Sequence, residues 1–552
     1  MARSALMASL RRAYKITNAS VETGIPANEI VDILHQKTTR RRLIYGGLGL
    51  ASAIGAVTWH GGDDSAAFAT IPKVLVVGAG IAGLVAAYRL SQAGVPVDII
   101  EARNRVGGRI YTVQNFAGTF IPVDLGGEFI DTSHTRLRSL AQELGLRIAD
   151  LYTGDKDLIQ GTSYFQGRKI SEKEITQWFT PLVQKIKQDL AALGKTPVTY
   201  RTRNQVAIQL DNTSITQYLN SAQIHPILSQ IIQVAYTGLY GREASEQSSL
   251  NMLLFIGTDP SSFEITGESD ERYQIVGGND QVPSLLARFL TNSIETGTEL
   301  EAITTRSDGS YRVSLRSGNR SFERTYERIL LALPFTTLRQ VSLNVDLPAV
   351  KKKAIASLGY GNNAKLITAY QERIWRTRYN STAFVSTDLD FAAIWEASRY
   401  QPGSSGVLTN FTGGQKSLPL GLRSAESQAQ KLLSQLENIF PGMSSVRQGQ
   451  PICAYWRREP YTQGSYACYL VGQWTTIAGA EQEQVGNLFF AGEHCSQKFQ
   501  GYMEGGCRTG EMAAVQILRS LGLKKSAAQL EVRISAYQKS LQSLYGVSTT
   551  NQ

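Results

Sequence analysis

Residues Lys73 to Arg109, KVLVVGAGIAGLVAAYRLSQAGVPVDIIEARNRVGGR, constrain the fold of this chain more than any other stretch. Val74 to Val77 is a β-branched run of the kind expected for a buried parallel strand, and it enters Gly78, Gly80 and Gly83 in GxGxxG spacing. Gly78 allows the tight turn, Gly80 lets backbone approach a pyrophosphate, and Gly83 lets the next helix lie close to the sheet. That helix, about Ile81 to Ala93, directs its first NH groups and positive dipole end at phosphate. Val97 to Ile100 predicts a second strand ending at Glu101, about 20 residues on, where a carboxylate accepts hydrogen bonds from a ribose. A lone GxGxxG is no more than a glycine-rich turn. Here strand, glycines, helix, second strand and acid follow in order, which predicts a dinucleotide site, and an acid at 101 argues against a 2′-phosphate.

With 552 residues and 42% hydrophobic content, the chain can bury one large or two medium cores. Its net charge of +10 is dispersed rather than gathered into a stripe, which favours solubility over nucleic-acid binding. Cys453, Cys468, Cys495 and Cys507 form no CxxC pair and have no histidines at ligand spacing, which argues against a metal site; a disulfide stays open, without a pairing. Residues 1 to 37 suggest two short helices, around Leu10 to Ile16 and Asn28 to Gln36. Arg40 to Arg42, the small-residue apolar run from 43 to Trp59 and Ala67-Phe68-Ala69 together describe a twin-arginine export signal cut after Ala69. The competing reading is a membrane anchor, for which the run is at the short limit.

The stretch Glu101-Ala-Arg103-Asn-Arg-Val-Gly107-Gly108-Arg109 resembles the second glycine motif of the flavin-containing amine oxidase superfamily, which wraps the FAD pyrophosphate. FAD is therefore expected rather than NAD. Val123-Asp-Leu-Gly126-Gly127-Glu128-Phe129 resembles the family segment whose glycines lie against the flavin ring. Tyr273 to Asp280 resembles a return to cofactor binding, with backbone at Leu300 expected at the adenine. Phe489-Phe-Ala-Gly492-Glu493-His494 and Gly501-Tyr502-Met503-Glu504-Gly505 resemble the C-terminal signature, an acid near the ribityl or pyrophosphate followed by a helix facing the flavin. At the position of the covalent flavin thiol of monoamine oxidases stands Ser465, so FAD is expected to be non-covalent. Cys468 is three residues out of register.

The resemblance spans about 70 to 520 and implies an α/β fold. A Rossmann-type FAD-binding domain is built from discontinuous segments (70–134, 271–334, 451–522), with an inserted α+β substrate domain (135–270 and 335–450). The signal region, 1–69, and a terminal helix and tail, 523–552, flank it. Helices are expected over Thr135–Leu144, Glu172–Leu193, Ser214–Leu219, Ile224–Val234, Glu243–Phe255 and Glu426–Ile439, and a strand pair at Lys365–Gln371 and Phe384–Trp395. Lys365 matches the family lysine that holds a water at flavin N5, and Tyr466 and Tyr502 match its aromatic cage. The implied activity is oxidation of the CH–NH2 group of an amine or amino acid, with O2 or a quinone as electron acceptor. Three alternatives stand beside it: an L-amino-acid oxidase using Arg136, Arg138 or Arg242 for the carboxylate, a desaturase or porphyrinogen oxidase, and a flavin-binding protein without turnover. Glu128, read as an unpaired carboxylate above the flavin, would select a basic substrate such as arginine, lysine or a polyamine.

Overall fold

The computed structural model describes residues 71–255 and 269–545. The expected helices before residue 37, the twin-arginine segment, the apolar run 43–59 and the cut after Ala69 lie outside the described residues.

Strand β1 (Val74–Val77), helix α1 (Ile81–Gln92) and β2 (Val97–Glu101) form as the sequence predicts. They join β3 (Ile294–Thr296), β4 (Arg328–Leu331) and β5 (Leu488–Phe490) in a parallel sheet of order β5-β4-β1-β2-β3. Three distant chain segments thus complete one sheet, and β1 is buried at every position because it lies in the middle with helices across it. The long helix α2 (Met503–Ser520) crosses α1 closely because small residues face the contact. A methyl on Gly510 would stand 2.4 Å from the carbonyl oxygen of Ala82, and one on Gly506 2.6 Å from Ile81.

The substrate half rests on a seven-stranded sheet in the order 447–455, 364–370, 406–412, 393–396, 385–387, 162–165, 168–170. Its central strands Ala364–Tyr370 and Gly406–Thr412 are buried throughout. A further four-stranded sheet carries Leu300 on Thr298–Thr305. The helices include Glu172–Leu193, started by a capping box between Ser171 and Glu174, and Pro226–Tyr240; Phe129, Trp395, Phe411 and Cys468 share their apolar core.

The helix expected over Glu243–Phe255 shortens to Ser249–Leu253, and three further expectations change. Helix Thr135–Glu143 packs Leu137, Leu140 and Ala141 into the core of β1 and α1 rather than into a substrate domain. The Glu504 carboxylate from α2 accepts hydrogen bonds from the Arg136 and Leu137 NH groups at its N-terminus. The region to 270 also contains short strands, Ile148–Asp150, Thr162–Phe165 and Arg168–Ile170, which extend sheets begun elsewhere. Finally, Ala364–Tyr370 pairs with Gly406–Thr412 and Arg447–Tyr455. The expected partner segment instead folds into the hairpin Val385–Thr387 and Ala393–Glu396. All four cysteines are free thiols, and among the described residues no helix is long and apolar enough to cross a membrane.

Candidate functional site

A cavity of about 460 Å³ runs from Leu300 past the Gly78–Gly80 turn to Lys365, Tyr466 and Tyr502. It opens at the carboxyl ends of the parallel strands, where α/β sheets bind nucleotides. Every expected site residue lines it except Gly83 and Glu128.

The glycine turn is built for close approach. Gly83 lies beneath the cavity; a methyl there would stand 2.0 Å from the Gly78 carbonyl oxygen. Gly80 lines the cavity, and a methyl on it would meet no protein atom within 4 Å. Helix α1 has no side-chain cap and no acid in its first turn, so its leading NH groups stay available to an anion. Glu101 accepts from the NH groups of Ala79 and Arg103 at 2.9 Å each, which fixes its carboxylate at the wall with lone pairs to spare. Arg103 is anchored on Thr462 at 2.5 Å. Arg109 bridges the Ser465 carbonyl and Glu493, both at 2.8 Å, and Glu493 also accepts from the NH of Gly501 at 2.7 Å. Glu493 thereby ties the second glycine motif to the entry of α2, whose leading residues Tyr502 and Met503 line the cavity.

At the other end, Gly126 and Gly127 leave no room for side chains: a methyl would stand 1.8 Å from the Arg109 carbonyl oxygen or 2.8 Å from Met503. Lys365 enters from the rigid strand Ala364–Tyr370 and donates to the carbonyls of Asp124 (2.8 Å) and Gly126 (2.9 Å) and to Glu128 Oε2 (2.6 Å). The other Glu128 oxygen accepts from Trp395 Nε1 at 3.0 Å. This corrects the expectation for Glu128. Its carboxylate is 1% exposed and paired at both oxygens, because the strands Ala364–Tyr370 and Ala393–Glu396 bring Lys365 to one and Trp395 to the other. The Asp124 carboxyl, wholly buried, is pushed up to about 6, chiefly by desolvation and further by Glu128, against hydrogen bonds from Thr112 and Gln274.

Tyr466 is buried and donates its hydroxyl to the Leu239 carbonyl; the Tyr502 ring meets His134 edge-on at 4.8 Å between centroids. Gly277 and Gly278 do not reach the cavity; their neighbour Asn279 instead holds the carbonyls of Gly127 and Glu128, at 3.0 and 2.6 Å. Sequence reasoning also passed over Asn363, Phe411 and Trp456, all in the cavity wall. Asn363 lies two residues before Lys365 and Trp456 nine before Ser465, Asn363 accepting from Ser465 Oγ at 2.6 Å and Trp456 donating to the Leu125 carbonyl at 3.1 Å. Phe411 had no local signal.

A model of the flavin containing amine oxidoreductase family matches residues 81–518. The chain belongs to this family. It is 25% identical over 466 residues to human amine oxidase [flavin-containing] B, covering 81% of this chain and 86% of that one. Among solved structures, cyclohexylamine oxidase from Brevibacterium oxydans IH-35A superposes with a TM-score of 0.70 at 22% identity, over 82% of this chain and 99% of the other. Putrescine oxidase bound to putrescine does so at 0.69 and 21%, over 81% and 99%. The family membership makes the protein an FAD-dependent oxidoreductase, and its cavity fits FAD. The open space over Gly80, the bare N-terminus of α1 and Glu101 suit the pyrophosphate and ribose, and the flush Gly126–Gly127 backbone suits a planar ring.

Ser465 stands at the cavity wall, whereas Cys468 is fully buried in the apolar core, where burial pushes its thiol up and away from nucleophilic thiolate. Acid precipitation of the holoprotein is therefore expected to release all FAD into the supernatant; yellow colour on the pellet would contradict a non-covalent link.

Proposed function

We propose that the protein oxidises the CH–NH2 group of a small amine without a carboxylate to an imine, which water converts to a carbonyl compound and ammonia. The observation carrying this reading is the convergence of Lys365, Tyr466 and Tyr502 on the cavity end floored by Gly126 and Gly127. FAD, when bound, supplies the two-electron oxidant that takes a hydride from the substrate α-carbon. The tyrosine rings exclude water and offer no counter-charge, so the amine is held neutral with its lone pair free to assist loss of that hydride. Lys365 presents its ammonium at the flavin end, where it can hold a water molecule by sharing a donor. The names of the relatives span a diamine and a cyclic monoamine oxidase, and neither is an amino-acid oxidase.

The amino-acid alternative needs a cation for the carboxylate. Arg136 lies by Glu511 at 3.7 Å, Arg138 donates to the Thr132 carbonyl, and Arg242 pairs with Glu246; none of the three lines the cavity. A panel of monoamines, diamines and L-amino acids, mixed anaerobically with the holoprotein, tests the proposal. Monoamines are expected to bleach the flavin. Bleaching by amino acids alone would restore the oxidase of amino acids, and bleaching by none would leave a flavin-binding protein. Peroxide release against quinone-dye reduction then identifies the acceptor.

We further propose that residues 1–69 direct twin-arginine export of the folded, FAD-loaded protein to the periplasm. Changing Arg40 and Arg41 to Lys is expected to retain it in the cytoplasm. Export with the segment removed would overturn the twin-arginine route, and retention of residues 43–59 on exported protein would make them a membrane anchor.

A further inference from the structure

The Lys365–Glu128 pair is unusual in its setting. Both side chains are almost fully buried, at 3% and 1%, Lys365 in the wall of a cavity whose chemistry needs apolar surroundings and Glu128 bonded to it outside the lining. Burying an ion pair confers little net stability over apolar packing of equal volume, so it is weak evidence for a stabilising role. The pair is also supported on all sides. Trp395 Nε1 fixes the second carboxylate oxygen, and the Trp395 ring packs on Phe129 (5.6 Å) and on the cavity residue Phe411 (5.5 Å). The carbonyls of Asp124 and Gly126 occupy the two other ammonium donors, so the orientation of Lys365 is determined at every proton.

We propose that Glu128 is a positioning residue that holds Lys365 as a fixed, charged ammonium at the flavin end of the cavity, with Trp395 orienting the carboxylate. The proposal rests on the amine-oxidising reading of the same site. In Glu128→Gln the ammonium keeps two carbonyls but loses its counter-charge, and burial then favours its neutral form as pH rises. Among the described residues, the other ionisable side chains around the pair include Asp124 and Tyr400 and, at the same end of the cavity, Tyr466 and Tyr502. Burial pushes the Asp124 carboxyl up to about 6, on the acid side, and the Tyr400 hydroxyl up to about 12. A change at mildly alkaline pH that is absent from Lys365→Met is therefore assigned to Lys365.

The test follows the visible absorption of bound FAD as pH is raised, without substrate, in the wild type, Glu128→Gln and Lys365→Met. The wild-type band is expected to be invariant, the Glu128→Gln band to shift, and the Lys365→Met band to lack that transition. Flavin reduction by an amine in Glu128→Gln is expected to fall by about tenfold or more across the transition. Glu128→Asp, which keeps the charge and shortens its reach, is expected to keep an invariant spectrum but to reduce the flavin several-fold more slowly. A Glu128→Gln protein with wild-type spectrum and rates at every pH, changed only in melting temperature, would overturn the proposal; should that variant not fold, wild-type rates in Glu128→Asp would do so. If no amine reduces even the wild-type flavin, the proposed function fails while the spectral titration still decides the role of Glu128.

Discussion

Gly83→Ala is expected to lower both the stability of the apoprotein and its affinity for FAD, whereas Gly80→Ala is expected to lower the affinity alone. The two glycines lie three residues apart in one turn, yet a methyl meets different obstacles at each. At 83 it would stand 2.0 Å from the Gly78 carbonyl oxygen and 3.2 Å from Ala332, both part of the turn and sheet that α1 packs on. Helix α1 must then move off β1, and overpacking of this kind typically costs about 1–3 kcal/mol. At 80 the backbone is already in an ordinary region, φ −73°, with no protein atom within 4 Å, so the empty protein bears the methyl without strain. The same methyl projects into the space through which the pyrophosphate must pass. FAD affinity is expected to fall by ~100-fold in both variants, about 2.7 kcal/mol, read by flavin titration. Melting of the FAD-free proteins separates them. Unchanged FAD affinity in Gly80→Ala would mean that the pyrophosphate does not cross this turn.

That contrast also shows what the sequence carries. The turn is legible because its requirements are local: strand, three glycines, helix and acid follow within one βαβ unit, and each residue type answers a constraint set by its neighbours. The pair of Glu128 and Lys365 is not legible in this way. They are 237 residues apart, and their meeting depends on how the strand Ala364–Tyr370 crosses the segment after Gly127. Read alone, Glu128 was a free carboxylate; the structure makes it a partner. Helix Thr135–Glu143 teaches the same lesson for folding. Its apolar spacing correctly gave a helix with one buried face, but spacing names no partner, and a carboxylate from α2 fixes its start. Short strands such as Arg168–Ile170, with one buried residue in three, carry too little alternation to be read at all.

Lys365→Met should be the most disruptive single change at the amine end, and its two consequences can be separated. Methionine nearly matches the lysine stem in length, so packing is preserved while the charge and all three donors are lost. Glu128 is left buried with only Trp395 for company, and removing one partner of a buried ion pair typically costs about 3–5 kcal/mol. Adding Glu128→Gln removes the orphaned charge, so the double variant is expected to be more stable than Lys365→Met alone. The recovery is expected to be incomplete, because the Asp124 and Gly126 carbonyls still lack the donor that held them, at about 1–3 kcal/mol for each buried group left unsatisfied. Urea unfolding of the four proteins closes the cycle, and additive changes would show the two side chains to be uncoupled. Catalysis should not follow stability. Neither Lys365→Met nor the double variant presents an ammonium at the flavin end, so flavin reduction or reoxidation is expected to be slowed by ~100-fold or more in both. Recovery of rate together with stability in the double variant would mean that Lys365 serves only to neutralise Glu128, and that the chemistry at this end of the cavity belongs to the tyrosines and the flavin.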